Sequence, residues 1–144
     1  MNLENIFGLF GFNENNENTK KQIENEIDDF KNNPYYKIRM FIKLINNGVI
    51  FKDQIIDLFS KSDASLDISN INEAGDFMMY ARAWYWIEQC DLNNEDWKYC
   101  LSNIPHKKFF DCIDLCNSYY EMCEEYEKCA HLRNIKNFCK KRGI

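Results

Sequence analysis

The chain is short of the residues that make turns: 5 Gly and 2 Pro in 144 positions. Sheet-rich folds reverse direction every few residues and draw on Gly and Pro to do so. That supply is too small for a sandwich or barrel. It suits an all-α fold, a compact bundle of about five to seven helices joined by short loops.

A basic excess is also missing. The formal net charge is −5. Nucleic-acid binding needs clustered Lys and Arg to neutralise phosphates, so no nucleic-acid partner is expected. The one basic cluster, Lys136, Lys140, Lys141 and Arg142, suits a helix C-terminus, where cations complement the dipole.

No uncharged apolar run approaches the ~20 residues that cross a bilayer, so no membrane partner is expected. The N-terminal stretch MNLENIFGLFGF has Glu4 and no early Lys or Arg. It therefore lacks the basic start of a signal peptide.

Chemical motifs are scarce as well. There is no GxGxxG, GxxxxGK[ST], HExxH or GxSxG, which removes the commonest nucleotide-binding and hydrolytic plans. No ExxH occurs, as a di-iron bundle requires. His106 and His131 are the two histidines, and neither stands at a spacing that makes a dyad with a cysteine. No cofactor, metal or catalytic residue is expected, and the chain reads as non-enzymatic.

What is present is apolar and aromatic. Hydrophobic residues make up 45% and aromatics 15%, with 11 Phe, 8 Tyr and 3 Trp. Such a chain buries enough surface to fold, unlike a disordered one. Its length fits one domain. Residues 1–18 read as an apolar arm with a polar linker (NENNEN), and 19–144 as a single helical domain.

Periodicity places the helices. The first runs from Thr19 to Asn32, with Ile23, Ile27 and Phe30 at helical spacing. Pro34 opens the second, which carries Ile38, Phe41, Ile42 and Ile45 and stops at Gly48 as a left-handed cap. A third covers Lys52 to Lys61, and Ser62–Ser69 reads as a loop. The fourth starts at Asn70, which with Glu73 resembles a capping box, and reaches Cys90. It is apolar nearly all round, the pattern of a central helix. The fifth begins at Asn93 or Asn94 and ends near Asn103. Pro105 opens a sixth, from about His106 to Tyr126, and a seventh covers Cys129 to Lys141.

Seven cysteines, Cys90, Cys100, Cys112, Cys116, Cys123, Cys129 and Cys139, fall in the last 55 residues. Cys112, Cys116 and Cys123 lie on one helix stripe, where free Cys packs as a small hydrophobe. Cys112, Cys116, Cys123, Cys129 and His131 offer soft metal ligands in one region. Zinc knuckles sit in loops, however, while Cys112 and Cys116 sit mid-helix and no second knuckle follows.

The spacings Cys90-x9-Cys100 and Cys129-x9-Cys139 resemble the twin C-x9-C pattern of coiled-coil-helix proteins of the mitochondrial intermembrane space. That resemblance implies two bridges stapling a helical hairpin in an oxidising compartment. The chain departs from the pattern in its long insert, its three extra cysteines and its odd total. The leading expectation is therefore a reduced, intracellular protein, cytoplasmic or within a virion, with the stapled protein of the mitochondrial intermembrane space as the alternative.

Trp, Tyr and Arg dominate protein–protein hot spots. Arg82, Trp84 and Trp86 within YARAWYW, and Ile6, Phe7, Leu9 and Phe10 of the arm, are therefore candidate partner-binding residues. The functional expectation is a structural or interaction subunit of a larger assembly, with a protein partner or further copies of itself. Heavy use of Asn and of Lys over Arg suggests a phage or viral source. The runner-up is the disulfide-stapled helical protein of an oxidising compartment, and a third reading is a small acidic inhibitor, with its negative charge steering it to a basic target.

Overall fold

Proline and asparagine set several helix boundaries in the computed structural model, which describes residues 17–61 and 68–143. Six helices and no strand occur among them: α1 (Glu17–Asn32), α2 (Pro34–Ser60), α3 (Ile68–Ile87), α4 (Glu95–Asn103), α5 (His106–Met122) and α6 (Tyr126–Gly143). The fold is all-α. No helix of the described residues is long and apolar enough to cross a membrane. The arm residues Ile6, Phe7, Leu9 and Phe10 lie outside the described residues.

Packing divides the chain into residues 1–33 and 34–144. In the first unit, α1 carries Glu17 in its first turn and Lys31 in its last, each charge opposing the dipole end it sits on. Its apolar positions, Ile23, Ile27 and Phe30, recur at i, i+4 and i+7. None of its residues is buried.

In the second unit, Pro34 opens α2, where its missing N–H is no loss. The expected break at Gly48 does not occur: α2 continues unbroken to Ser60. Gly48 is bare for a different reason. A Cβ there would overlap Sδ and Cγ of Met79 on α3, so the glycine allows the two helices to approach closely. The expected capping box is likewise displaced, because α3 already starts at Ile68 and holds Asn70 within its first turn.

Asn94 caps α4 as the sequence predicts. Its Oδ1 accepts from the backbone N–H of Asp96 at 2.9 Å and of Trp97 at 3.1 Å, satisfying two of the orphan donors of the first turn. Pro105 precedes α5. That helix ends at Met122, earlier than the pattern suggests. Glu124, at φ 59°, reverses the chain into α6, which starts three residues before Cys129.

The core gathers one stripe from each helix of this unit. Ile38, Phe41 and Ile45 come from α2, Ala83 and Ile87 from α3, Leu101 from α4, Phe109, Ile113 and Cys116 from α5, and Leu132, Ile135 and Cys139 from α6. Full burial of an Ile, Leu or Phe side chain contributes roughly 1.5–3 kcal/mol. Among the described residues, no polar or charged residue is buried as a whole. Helices α2 and α3 form one antiparallel hairpin and α5 and α6 another. The Phe41–Phe109 ring pair, with centroids 6.0 Å apart, and a hydrogen bond from Tyr120 Oη to the Tyr80 carbonyl at 3.1 Å join the two.

Candidate functional site

Seven thiols are the chain's most reactive groups by type, and packing quiets most of them. Cys90, Cys112, Cys116, Cys129 and Cys139 are buried, Cys100 is half-buried and Cys123 is exposed; all seven are free. Burial pushes the Cys90 thiol up to about 12, with nearby Cys139 adding to the effect. It does the same for Cys116, beside Cys129, and raises Cys112 and Cys139 to about 11. A nucleophilic or metal-binding cysteine needs the thiolate, which these sites suppress. The buried sulfurs instead donate weakly to carbonyl oxygens: Cys129 to Asn117 at 3.6 Å and Cys139 to Leu101 at 3.9 Å.

The possible metal ligands do not converge. Among the described residues, no group of three or more His, Cys, Asp or Glu side chains is placed to hold an ion. Cys123 stands exposed at the end of α5, away from the stripe it shares in sequence with Cys112 and Cys116. His131 turns its Nε2 to the Ile87 carbonyl, 2.9 Å away. His106 does likewise with the Leu101 carbonyl at 3.0 Å. Each imidazole thereby fastens the end of a neighbouring helix.

The predicted Arg82–Trp84–Trp86 face divides, with Trp84 on the side of the helix opposite Arg82 and Trp86. Trp84 is half-buried and meets Tyr120 edge-on at 5.7 Å and His131 at 5.3 Å. Lys128 Nζ closes over the rings of Trp84 and Tyr120. Trp86 packs on Tyr36 at 5.6 Å. Of the three, Arg82 lines an open groove.

That site is a groove between the second half of α2 and the first half of α3, with a volume of about 510 Å³. Gly48 creates the close helix approach from which the groove widens. Leu44, Phe51, Ile55 and Ile56 form one wall, and Ile71, Met78 and Met79 the other. The lining is largely apolar, with polar groups at a few points. Lys52 reaches across to Asp76 at 2.7 Å. Asn72 Oδ1 is buried without a hydrogen-bond partner among the described residues. Arg82, at the end of the α3 wall, has no ion pair among them either.

Sequence reading missed every groove residue except Arg82. The signal was present but unspecific: in Ile50, Phe51, Ile55, Ile56 and Leu58, apolar residues occupy more than one side of α2. Phe51 is 63% exposed and Leu58 63%. In the expected central helix, α3, several large apolar residues are likewise exposed: Phe77 by 64%, Met78 by 62% and Tyr85 by 58%. No family model matches the chain, and neither does any curated protein or solved structure.

Proposed function

We propose that the protein is a non-enzymatic interaction subunit that receives an amphipathic helix of a partner protein in the α2–α3 groove. The observation that carries this reading is the open apolar groove with an unpaired guanidinium at one end. From Leu44 to Ile56 the α2 wall runs about 18 Å at 1.5 Å per residue. That length matches three turns of a guest helix bearing apolar anchors at i, i+4 and i+7. Arg82 selects a guest that carries a carboxylate, which a guanidinium meets with two parallel hydrogen bonds. Engagement of both imidazoles and suppression of the buried thiolates support a binding role over a catalytic one. The Asn- and Lys-rich composition supports a phage or viral assembly as the setting.

The test is site-specific photo-crosslinking in the source cell. A photoreactive phenylalanine replaces Phe51 in one variant and the exposed Tyr99, on α4, in another. The expected result is a protein adduct from position 51 that exceeds the position-99 background, maps to an acidic amphipathic helix and is lost with Arg82→Glu. Equal labelling at the two positions sinks the reading, as does an adduct indifferent to Arg82→Glu.

A further inference from the structure

Glycine weakens a helix interior, because it gives up more conformational freedom on folding than any other residue. The second unit carries two such glycines, Gly48 in α2 and Gly75 in α3. At Gly48 the neighbouring helix accounts for the missing side chain, since a Cβ would overlap Met79. At Gly75 nothing among the described residues does: a Cβ there meets no atom within 4 Å. Nor does the backbone call for glycine, because Gly75 lies well inside α3 and has no left-handed φ. What remains is a need for bare backbone on the side that faces away from the chain's own atoms, as where a ligand approaches closely.

That side is the groove, which Gly75 lines. It sits on the α3 wall one turn after Ile71 and one turn before Met79. Its neighbour Asp76 holds Lys52 of the facing wall at 2.7 Å. Side chains thus surround a spot of bare backbone, the arrangement of a hole that receives a knob from another helix. We propose that Gly75 seats the main apolar anchor of the guest helix, an inference that rests on the guest-helix reading of the groove. A side chain the size of Leu, Met or Phe enters over the bare backbone. Arg82 then sets the guest's pattern. Gly75 and Arg82 are seven residues apart in α3, so they lie about 10.5 Å apart along the helix and within about 20° of one another around it. A guest lying along α3 therefore carries its anchor and its carboxylate seven residues apart, two turns on one face.

Free and bound protein then respond in opposite directions to one substitution. A side chain added at Gly75 improves α3 as a helix and touches nothing else in the free protein, so it stabilises the fold. The same atoms take the volume that the anchor needs, and an interface core is packed as tightly as a protein interior, so they weaken binding. A glycine without a guest contact would show the first effect alone. Because the variants are the more stable proteins, lost binding cannot be laid to unfolding.

The experiment takes the full chain with the photoreactive phenylalanine in place of Phe51, in the source cell, and adds Gly75→Ala, Gly75→Leu or Ala74→Leu. Ala74 is exposed and points about 100° away from Gly75 around the helix, so it serves as the control. In circular dichroism melts of the purified proteins, Gly75→Ala should raise the melting temperature by about 3 °C. The protein adduct should fall about fivefold with Gly75→Ala and about 30-fold or more with Gly75→Leu. With Ala74→Leu it should stay within about twofold of the parent. An adduct undiminished by Gly75→Leu overturns the inference and leaves the guest-helix reading standing, and so does an equal loss with Ala74→Leu. A melting temperature lowered by Gly75→Ala also overturns it, since the Cβ would then meet the protein's own atoms. Absence of any adduct above the position-99 background overturns the guest-helix reading itself, and this inference with it.

Discussion

Replacing Gly48 by Ala sets two known quantities against each other at one position. In a helix interior, Ala is more favourable than Gly by about 1 kcal/mol, and Gly48 sits in the middle of the 27-residue α2. Against this, the new Cβ would overlap Sδ and Cγ of Met79. Overpacking by one carbon costs about 1–3 kcal/mol. The thioether is flexible, but Met79 is 9% exposed and must swing toward the groove to make room. The net effect of Gly48→Ala is therefore a loss of about 0–2 kcal/mol. In a Met79→Ala background the obstacle is gone, and the same substitution should gain about 1 kcal/mol. The coupling between the two sites is then about 1–3 kcal/mol. At this chain length, 1 kcal/mol moves the melting temperature by roughly 3–4 °C, so far-UV circular dichroism melts of the four proteins resolve it. If Gly48→Ala raises the melting temperature equally in both backgrounds, the close approach of α2 and α3 at Gly48 is wrong.

Two further outcomes follow from the second unit. Asn94→Ala removes the acceptor of two first-turn N–H groups and should cost about 1 kcal/mol in urea unfolding, while Asn94→Asp should be nearly neutral; equal losses in both would refute the capping role. The thiols predict an alkaline transition. Cys90 and Cys116 are pushed up to about 12, and Cys112 and Cys139 to about 11, from an ordinary 9.0. The unfolded chain then loses these protons first, so their stabilisation is complete below pH 9 and declines as pH rises toward 11–12. The slope is about 1 kcal/mol per thiol per pH unit. The melting temperature should fall ever more steeply from pH 8 to 10.5, and less so in Cys116→Ala; a flat profile would refute the burial of the thiols. In native alkylation at pH 8, Cys123 should react first and the five buried thiols only on unfolding.

How much of this was legible in the sequence depended on whether one residue type had one use. Asn94 before Glu95 and Asp96 has few readings besides a cap, and Pro34 and Pro105 each mark a helix start. The Ile38, Phe41, Ile42, Ile45 stripe is periodic enough to fix the buried side of α2. Gly48 was ambiguous because a glycine that ends a helix and one that admits a neighbour look the same until the neighbour, Met79, is known. All-round apolarity in α3 was ambiguous in a similar way. It signals that every side is to be covered, but not that the cover comes from the same chain. Cys112, Cys116 and Cys123 share a stripe, yet the helix ends at Met122 and leaves Cys123 outside the packing. The groove was illegible because it belongs to the gap between two helices, and no single segment encodes a gap. Arg82 was found for its residue type, Trp84 and Trp86 for the same reason; geometry places the first in the groove.

The hairpin pairing of α2 with α3 and of α5 with α6 also sets a tempo. Partners in each hairpin are neighbours along the chain, so little loop-closure entropy is spent before contacts form. Proteins dominated by such local contacts cross their folding barrier in microseconds to milliseconds. The slower step is then the meeting of the two hairpins, where Phe41 finds Phe109 and the Tyr120 hydroxyl finds the Tyr80 carbonyl. A chain emerging from the ribosome completes the α2–α3 hairpin, with its exposed apolar outer side, before α5 and α6 exist to cover its inner one. For that interval the hairpin is sticky on both sides, and the order of synthesis makes it the segment in greatest need of a chaperone.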